Sequence, residues 1–244
     1  MWTWFHKLAS PPHYYRIAGY WIPVFGGLAA VAILAGFYGG LVVAPPDYQQ
    51  GEGFRIIYVH VPSAWMSLFI YMFMAVGAAV GLVWRIKLAH AMAAAAAPLG
   101  AWFTALALAT GSLWGKPMWG TWWAWDPRLT SELILLFLYL GYVALHTSIE
   151  DRDRGDRAAG LLAIVGAVNV PVIHYSVQWW NSLHQGSTVT RLGKPAITGD
   201  MLWPLLVTTL GFMAYFGALV LVRGRAEVLR RERQASWLAE IDRS

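Results

Sequence analysis

The sequence predicts an all-α, polytopic membrane protein: six transmembrane helices with a Trp-rich amphipathic helix or loop on the outer face, in one domain over residues 1–244. Three observations carry this. Six apolar runs, roughly Gly19 to Val43, Pro62 to Trp84, Ala91 to Leu113, Pro127 to Thr147, Ala158 to Val177 and Met201 to Val222, each reach the about 20 residues that cross a hydrocarbon layer. The chain is 58% hydrophobic and only 13% charged, and it lacks alternating strand patterns. Lipid offers no hydrogen bonds to backbone groups, so such runs must be helical. Finally, the basic residues sort by side. Lys7, Arg16, Arg85, Lys87, Arg152, Arg154, Arg157, Arg223, Arg225, Arg230, Arg231, Arg233 and Arg243 fall on one face of a six-span arrangement, and Arg55, Lys116, Arg128, Arg191 and Lys194 on the other. This asymmetry places both termini in the cytoplasm and the outer loops (44–61, 114–128 and 178–200) beyond the membrane. The net charge of +5 is thereby a topology signal and not a nucleic-acid signal.

Taken in order, residues 1–20 carry aromatics (Tyr14, Tyr15, Tyr20) suited to an interfacial anchor, and His6 and His13 read as solvated. The first apolar run follows a basic start, yet it is too long for a signal-peptide core and is expected to remain as span one. Its pairs Gly26-Gly27 and Gly39-Gly40 permit close helix contact, within the chain or with a single-span partner. The first outer loop ends at His60, with Pro62 in the first turn of span two. A lone interfacial histidine is more often structural than a ligand, so its meaning depends on its neighbours. Span two returns through Arg85-Ile86-Lys87. His90 at the head of span three reads as structural, and Pro98 is a candidate kink inside that span.

The stretch Trp114 to Arg128 is the most unusual. Five tryptophans fall within twelve residues, and an apolar cluster of that size marks a binding surface or a membrane contact. Trp119, Trp122 and Trp123 lie at i, i+3 and i+4, which predicts a short helix opened by Pro117 with its indoles on one face. An interfacial aromatic belt competes with that reading. Asp126-Pro127 reads as N-cap and first turn of span four, so Asp126 is equally a cap and a site residue. Arg128 beside the indoles suits stacking or a two-bond carboxylate clamp.

The alternating charges from Glu150 to Arg157 read as a solvated turn. Span five holds Asn169, Pro171 and His174, and polar groups within lipid are functional suspects or interhelical hydrogen-bonders. The third outer loop begins Trp179-Trp180-Asn181-Ser182-Leu183-His184-Gln185-Gly186, which brings a second outer histidine beside a tryptophan pair. The basic tail, 223–244, is expected to form a cytoplasmic helix near anionic lipid or a partner subunit. The chain contains no cysteine, which excludes disulfides and thiolate metal sites.

Two outer imidazoles, an aromatic shelf and rim arginines are what a flat apolar macrocycle with a central metal and acidic edges requires. Heme meets each condition: histidine ligates its iron, and indole faces and guanidinium groups serve its ring and propionates. Zinc normally takes a third protein ligand, and no H-E-x-x-H or cysteine set is present.

The segment Trp119-Gly120-Thr121-Trp122-Trp123-Ala124-Trp125-Asp126, with His60-Val61-Pro62 and Trp179 to Gly186, resembles the CcmC-type heme-handling membrane proteins of c-type cytochrome maturation. The likeness covers essentially the whole chain. It implies b-type heme held by His60 and His184 as axial ligands, with the Trp-rich motif (Trp119, Trp122, Trp123, Trp125, Asp126) supporting the ring. It also implies delivery to the membrane-anchored chaperone CcmE, alongside the ABC transporter subunits CcmA and CcmB and the small protein CcmD, in the bacterial inner membrane with the site facing the periplasm. Such a protein binds and delivers rather than catalyses. Arg55 and Arg128 as propionate partners rest on the physical reading. The rival readings are a small-molecule or ion transporter using Glu132, Asn169 and His174, and a structural subunit of an ABC-type membrane complex.

Overall fold

A computed structural model describes residues 10–184, 186, 189 and 196–241. His6, Lys7, Gln185, Arg191, Lys194 and Arg243 lie outside the described residues. Six segments among those described are long and apolar enough to cross a membrane, and no strand occurs among them. The chain is a multi-pass, all-helical membrane protein.

Helix α1 (Pro11–Tyr38) starts on two prolines, where no amide partner is needed, and closes in a π-turn, Gly39–Val43. A 3-10 turn, Glu52–Ile56, runs into α2 (Ile57–Trp84). Arg85, in the left-handed region at φ 55°, reverses the chain into α3 (Lys87–Trp119). Helix α4 (Pro127–Ser148) follows the Trp-rich loop. The fifth span is two helices, α5 (Arg152–Gly166) and α6 (Asn169–Trp179). Pro171 has no amide proton to give to the carbonyl one turn earlier, so the ladder breaks at Ala167–Val168 and resumes with the proline in the first turn. The sixth span, α7 (Gly199–Arg231), and a short α8 (Ser236–Ile241) complete the described chain.

Packing follows small residues. Helices α1 and α7 meet closely because Gly36 lies against Thr208 and Gly211 against Ile33, where any side chain would collide. Of the two glycine pairs in span one, Gly39 and Gly40 admit the rings of Trp203 and Tyr58, whereas Gly26 and Gly27 have nothing within 4 Å. At the centre, Gly100 on α3 receives Tyr139 of α4. That tyrosine stands edge-on to Tyr71 with ring centres 5.0 Å apart and donates to the Ser67 carbonyl at 2.7 Å.

Three expectations need correction. No helix forms over Trp119–Trp123: α3 continues through Pro117 to Trp119, and Gly120, at φ 77°, caps it in a conformation other residues adopt only at a cost. Residues 121–126 then run irregularly. Arg55 and His60 are helical rather than loop residues, because the second span begins at Glu52. The charged segment Glu150 to Arg157 is not simply solvated. Asp156 is buried on α5 and accepts two bonds from Arg231, at 2.6 and 2.9 Å, with His146 Nε2 3.2 Å away. Glu227 holds the same guanidinium and that of Arg230, and the tail continues α7 as far as Arg231 before the short, separate α8.

Removing one member of a buried ion pair leaves the other charge uncompensated. Asp156→Ala is therefore expected to lower stability by about 3 kcal/mol, read as a drop in the unfolding midpoint of the detergent-solubilised protein. Arg154→Ala, which breaks only the exposed pair with Asp151, should be nearly neutral.

Candidate functional site: a two-histidine cavity

At the end of the bundle opposite the Asp156–Arg231 cluster, α2, α3, α4 and α6 diverge around a cavity of about 160 Å³. His60 projects into it from the first turns of α2, followed at helical spacing by Ala64 and Leu68 on the same wall. His60 is 9% exposed. Its Nδ1 lies 3.1 Å from the Ala107 carbonyl and 3.1 Å from Thr110 Oγ1. A carbonyl only accepts, and the Thr110 hydroxyl already donates to Leu106 at 2.6 Å. Nδ1 must then carry the proton, which leaves the Nε2 lone pair free to coordinate. Gly111 makes room for the ring, since a Cβ there would stand 3.0 Å from His60 Cε1.

His184 reaches the same cavity from the loop after α6. The His60 and His184 ring centres are 6.2 Å apart with planes 31° from parallel. Two imidazoles gripping one metal at about 2.0 Å per nitrogen would have ring centres roughly 6 Å apart. Two histidines distant in sequence thus converge at a separation suited to one metal centre. Among the described residues no group of three or more His, Cys, Asp or Glu side chains could hold a metal ion, so its remaining ligands would come with the guest.

The tryptophans divide into two sets. Trp119 lines the cavity with its ring 6.2 Å from His184. Trp114 stands edge-on to His60 at 5.7 Å and donates from Nε1 to Gln50 at 2.9 Å. Trp65 also lines the wall. Trp122, Trp123 and Trp125 do not: Trp122 and Trp125 are 55% and 77% exposed, and Trp123 packs edge-on to Trp125 at 5.5 Å. Of the shelf expected at Trp119–Trp123, Trp119 stands in a cavity wall with Trp65 and Trp114, whereas Trp122 and Trp125 are exposed outside it, as are Trp179 and Trp180.

The charged groups divide likewise. Arg128 faces the cavity from the first turn of α4. Arg55 does not line it: its guanidinium is engaged by Glu52 and by the Gly40 carbonyl, the latter at 2.6 Å. Asp126 caps α4 by accepting the Leu129 amide at 2.8 Å. Glu132 lines the cavity floor, where the Ser67 hydroxyl donates to it at 2.7 Å. Asn169 forms an interhelical hydrogen bond, its amide donating to the Ser131 carbonyl of α4 at 2.9 Å. His174 also lines the cavity. Trp65, Trp114 and Glu132 were absent from the expected site. Trp114 already stood in the tryptophan-rich stretch and Glu132 in the transporter reading, while Trp65 lies on α2 five residues after His60.

Comparison with known proteins agrees with this architecture throughout. Residues 4–239 match the family model described as Heme exporter protein C. The chain is 51% identical over 241 residues to Heme exporter protein C of Haemophilus influenzae, covering 99% of this chain and 98% of that one. It is 50% identical over 242 residues to Heme exporter protein C of Escherichia coli strain K12, covering 99% and 97%. A putative cytochrome c biosynthesis ccmC-like mitochondrial protein of Marchantia polymorpha is 43% identical over 202 residues, covering 83% and 84%.

Proposed function

The chain belongs to the heme exporter protein C (CcmC) family, and on that premise we propose that it handles heme for c-type cytochrome maturation by gripping it between His60 and His184. The observation that carries this reading is the 6.2 Å separation of the two rings, with the His60 tautomer fixed by the Ala107 carbonyl. Two protein ligands satisfy an iron whose four equatorial positions are filled by a porphyrin, so the guest is b-type heme, carried as cargo. The chain has no cysteine, so it has no thiol with which to form a thioether to its guest.

Each group has a physical task in this reading. The apolar wall of Trp65, Trp114 and Trp119 replaces water against the porphyrin faces and edges. Arg128 places a multi-donor guanidinium where a propionate would lie. Arg55 serves the rim at one remove, by holding the Gly40 carbonyl and the turn that leads into α2. The exposed indoles Trp122 and Trp125, with Trp123 behind them, form the surface to which the chaperone CcmE docks, since large indoles concentrate at recognition surfaces. Delivery then proceeds outward, with the site facing the periplasm, both termini in the cytoplasm of the inner membrane, and CcmA, CcmB and CcmD as the other partners. The role is binding and delivery without catalysis.

His60→Ala and His184→Ala should each abolish a two-imidazole low-spin absorption spectrum in the purified protein and weaken heme retention by roughly 100-fold. An unchanged Soret band in the doubly substituted protein would refute the ligand assignment. Gly111→Leu should cut heme occupancy while leaving the helical circular dichroism intact, because its side chain enters the space of the His60 ring. Trp122→Ala and Trp125→Ala should leave the spectrum of the bound heme unaltered yet reduce heme transfer to CcmE about tenfold, measured as chaperone-bound heme after co-expression.

A further inference from the structure

Asp126 is 7% exposed and does not line the cavity, although it closes the Trp-rich motif. Both its oxygens are engaged. Oδ1 accepts the Leu129 amide of α4 at 2.8 Å, and Oδ2 accepts the Ser182 hydroxyl. The Ser182 oxygen in turn accepts the backbone amide of His184 at 3.0 Å. A helix N-terminus favours a carboxylate by both dipole and unsatisfied amides, so Asp126 is held firmly by α4. Its second oxygen transmits that placement to a loop that reaches the cavity 56 positions later in sequence.

We infer that Asp126 and Ser182 are positioning residues for His184. The pair fixes the backbone from which that imidazole reaches toward His60, and Asp126 acts through Ser182 rather than by touching the guest. The chain of bonds accounts for every group involved: the serine proton goes to the carboxylate, and the serine lone pair takes the His184 amide. Without the hydroxyl, the serine's bonds to the His184 amide and to the second carboxylate oxygen are both lost. The inference rests on the reading of His184 as an axial ligand, and it assigns Ser182 a task that a simple helix cap does not require.

The test uses the full chain purified in detergent, loaded with heme, and compared as Ser182→Ala, Ser182→Thr, Asp126→Ala and His184→Ala. Ser182→Ala keeps the α4 cap, so its unfolding midpoint should stay near that of the parent. Its heme spectrum should shift from low-spin toward high-spin, and transfer of heme to a soluble scavenger protein should run about tenfold faster. Ser182→Thr, which retains the hydroxyl, should restore the parent spectrum and rate. Asp126→Ala should reproduce the spectral change and also lower the unfolding midpoint, because it removes the cap as well. A Ser182→Ala protein with parental spectrum and loss rate, beside a His184→Ala protein altered in both, would overturn the positioning role. The same holds if only its unfolding midpoint falls. A His184→Ala protein with an unaltered spectrum would instead overturn the ligand reading beneath it.

Discussion

A helix in lipid has no solvent to complete its hydrogen bonds, so a polar side chain inside the bundle is costly unless it finds a partner in the chain itself; among the described residues the Tyr71 and Tyr142 hydroxyls, His90 Nδ1 and Trp123 Nε1 carry that cost. The architecture around the cavity follows from that constraint. His60 gives its Nδ1 proton to α3, Ser67 gives its hydroxyl proton to Glu132 on α4, and Asn169 on α6 donates across to the Ser131 carbonyl of α4. These bonds run between α2, α3, α4 and α6, the same helices that wall the cavity. The polar groups therefore brace the space they surround, and what they leave available, the His60 Nε2 and the Arg128 guanidinium, is what a guest has to satisfy.

The two ends of the bundle use charge differently. At the basic end, Arg231 is enclosed by Asp156, Glu227 and His146, a closed set in which donors and acceptors match. At the cavity end, no hydrogen bond joins Arg128 to another described side chain, and its nearest acidic company is Glu132 one turn on and Asp126 before it. A closed set locks helices α4, α5 and α7 together. An open one waits on a ligand. The distinction comes from partners and not from residue type, since both clusters are built from arginine and carboxylates.

That difference also marks how far the sequence could be read. Apolar runs report solvent and place the six spans, although helices extend eight to ten residues past the runs at Pro11, Glu52 and Arg231, and Asp126 caps α4 as its place before Pro127 suggests. The tryptophan helix was misplaced because i, i+3, i+4 spacing is local, whereas the end of α3 is set by Gly120 in a left-handed turn. Pro117 is tolerated inside a membrane helix whose neighbours supply alternative contacts. Arg55 beside Glu52 and His60 beside Pro62 read as loop, because the first turns of α2 extend past the apolar run. The burial of Asp156 depended on Arg231, 75 positions away, and no local pattern of alternating charge reveals such a pairing. By contrast, the meeting of His60 with His184 was legible from topology, since both flank spans at one face.

The two imidazoles are held by unlike means, and the difference bears on how such a site opens. His60 stands on a continuous helix, nearly buried, with its ring tied to α3. His184 stands on a non-helical segment, with its amide on Ser182 and that serine on Asp126. To swing His60 away, α2 must unwind at its start and the Ala107 bond must break within an apolar surround, where a lone polar group has no substitute partner. Moving His184 displaces a short non-helical segment together with its serine contact and its ring neighbours His60 and Trp119, and such segments open at lower free energy than packed helices. In the proposed function, a cavity that receives heme and gives it up would have one fixed wall and one that parts more readily, and the more compliant side adjoins the exposed indoles Trp179 and Trp180.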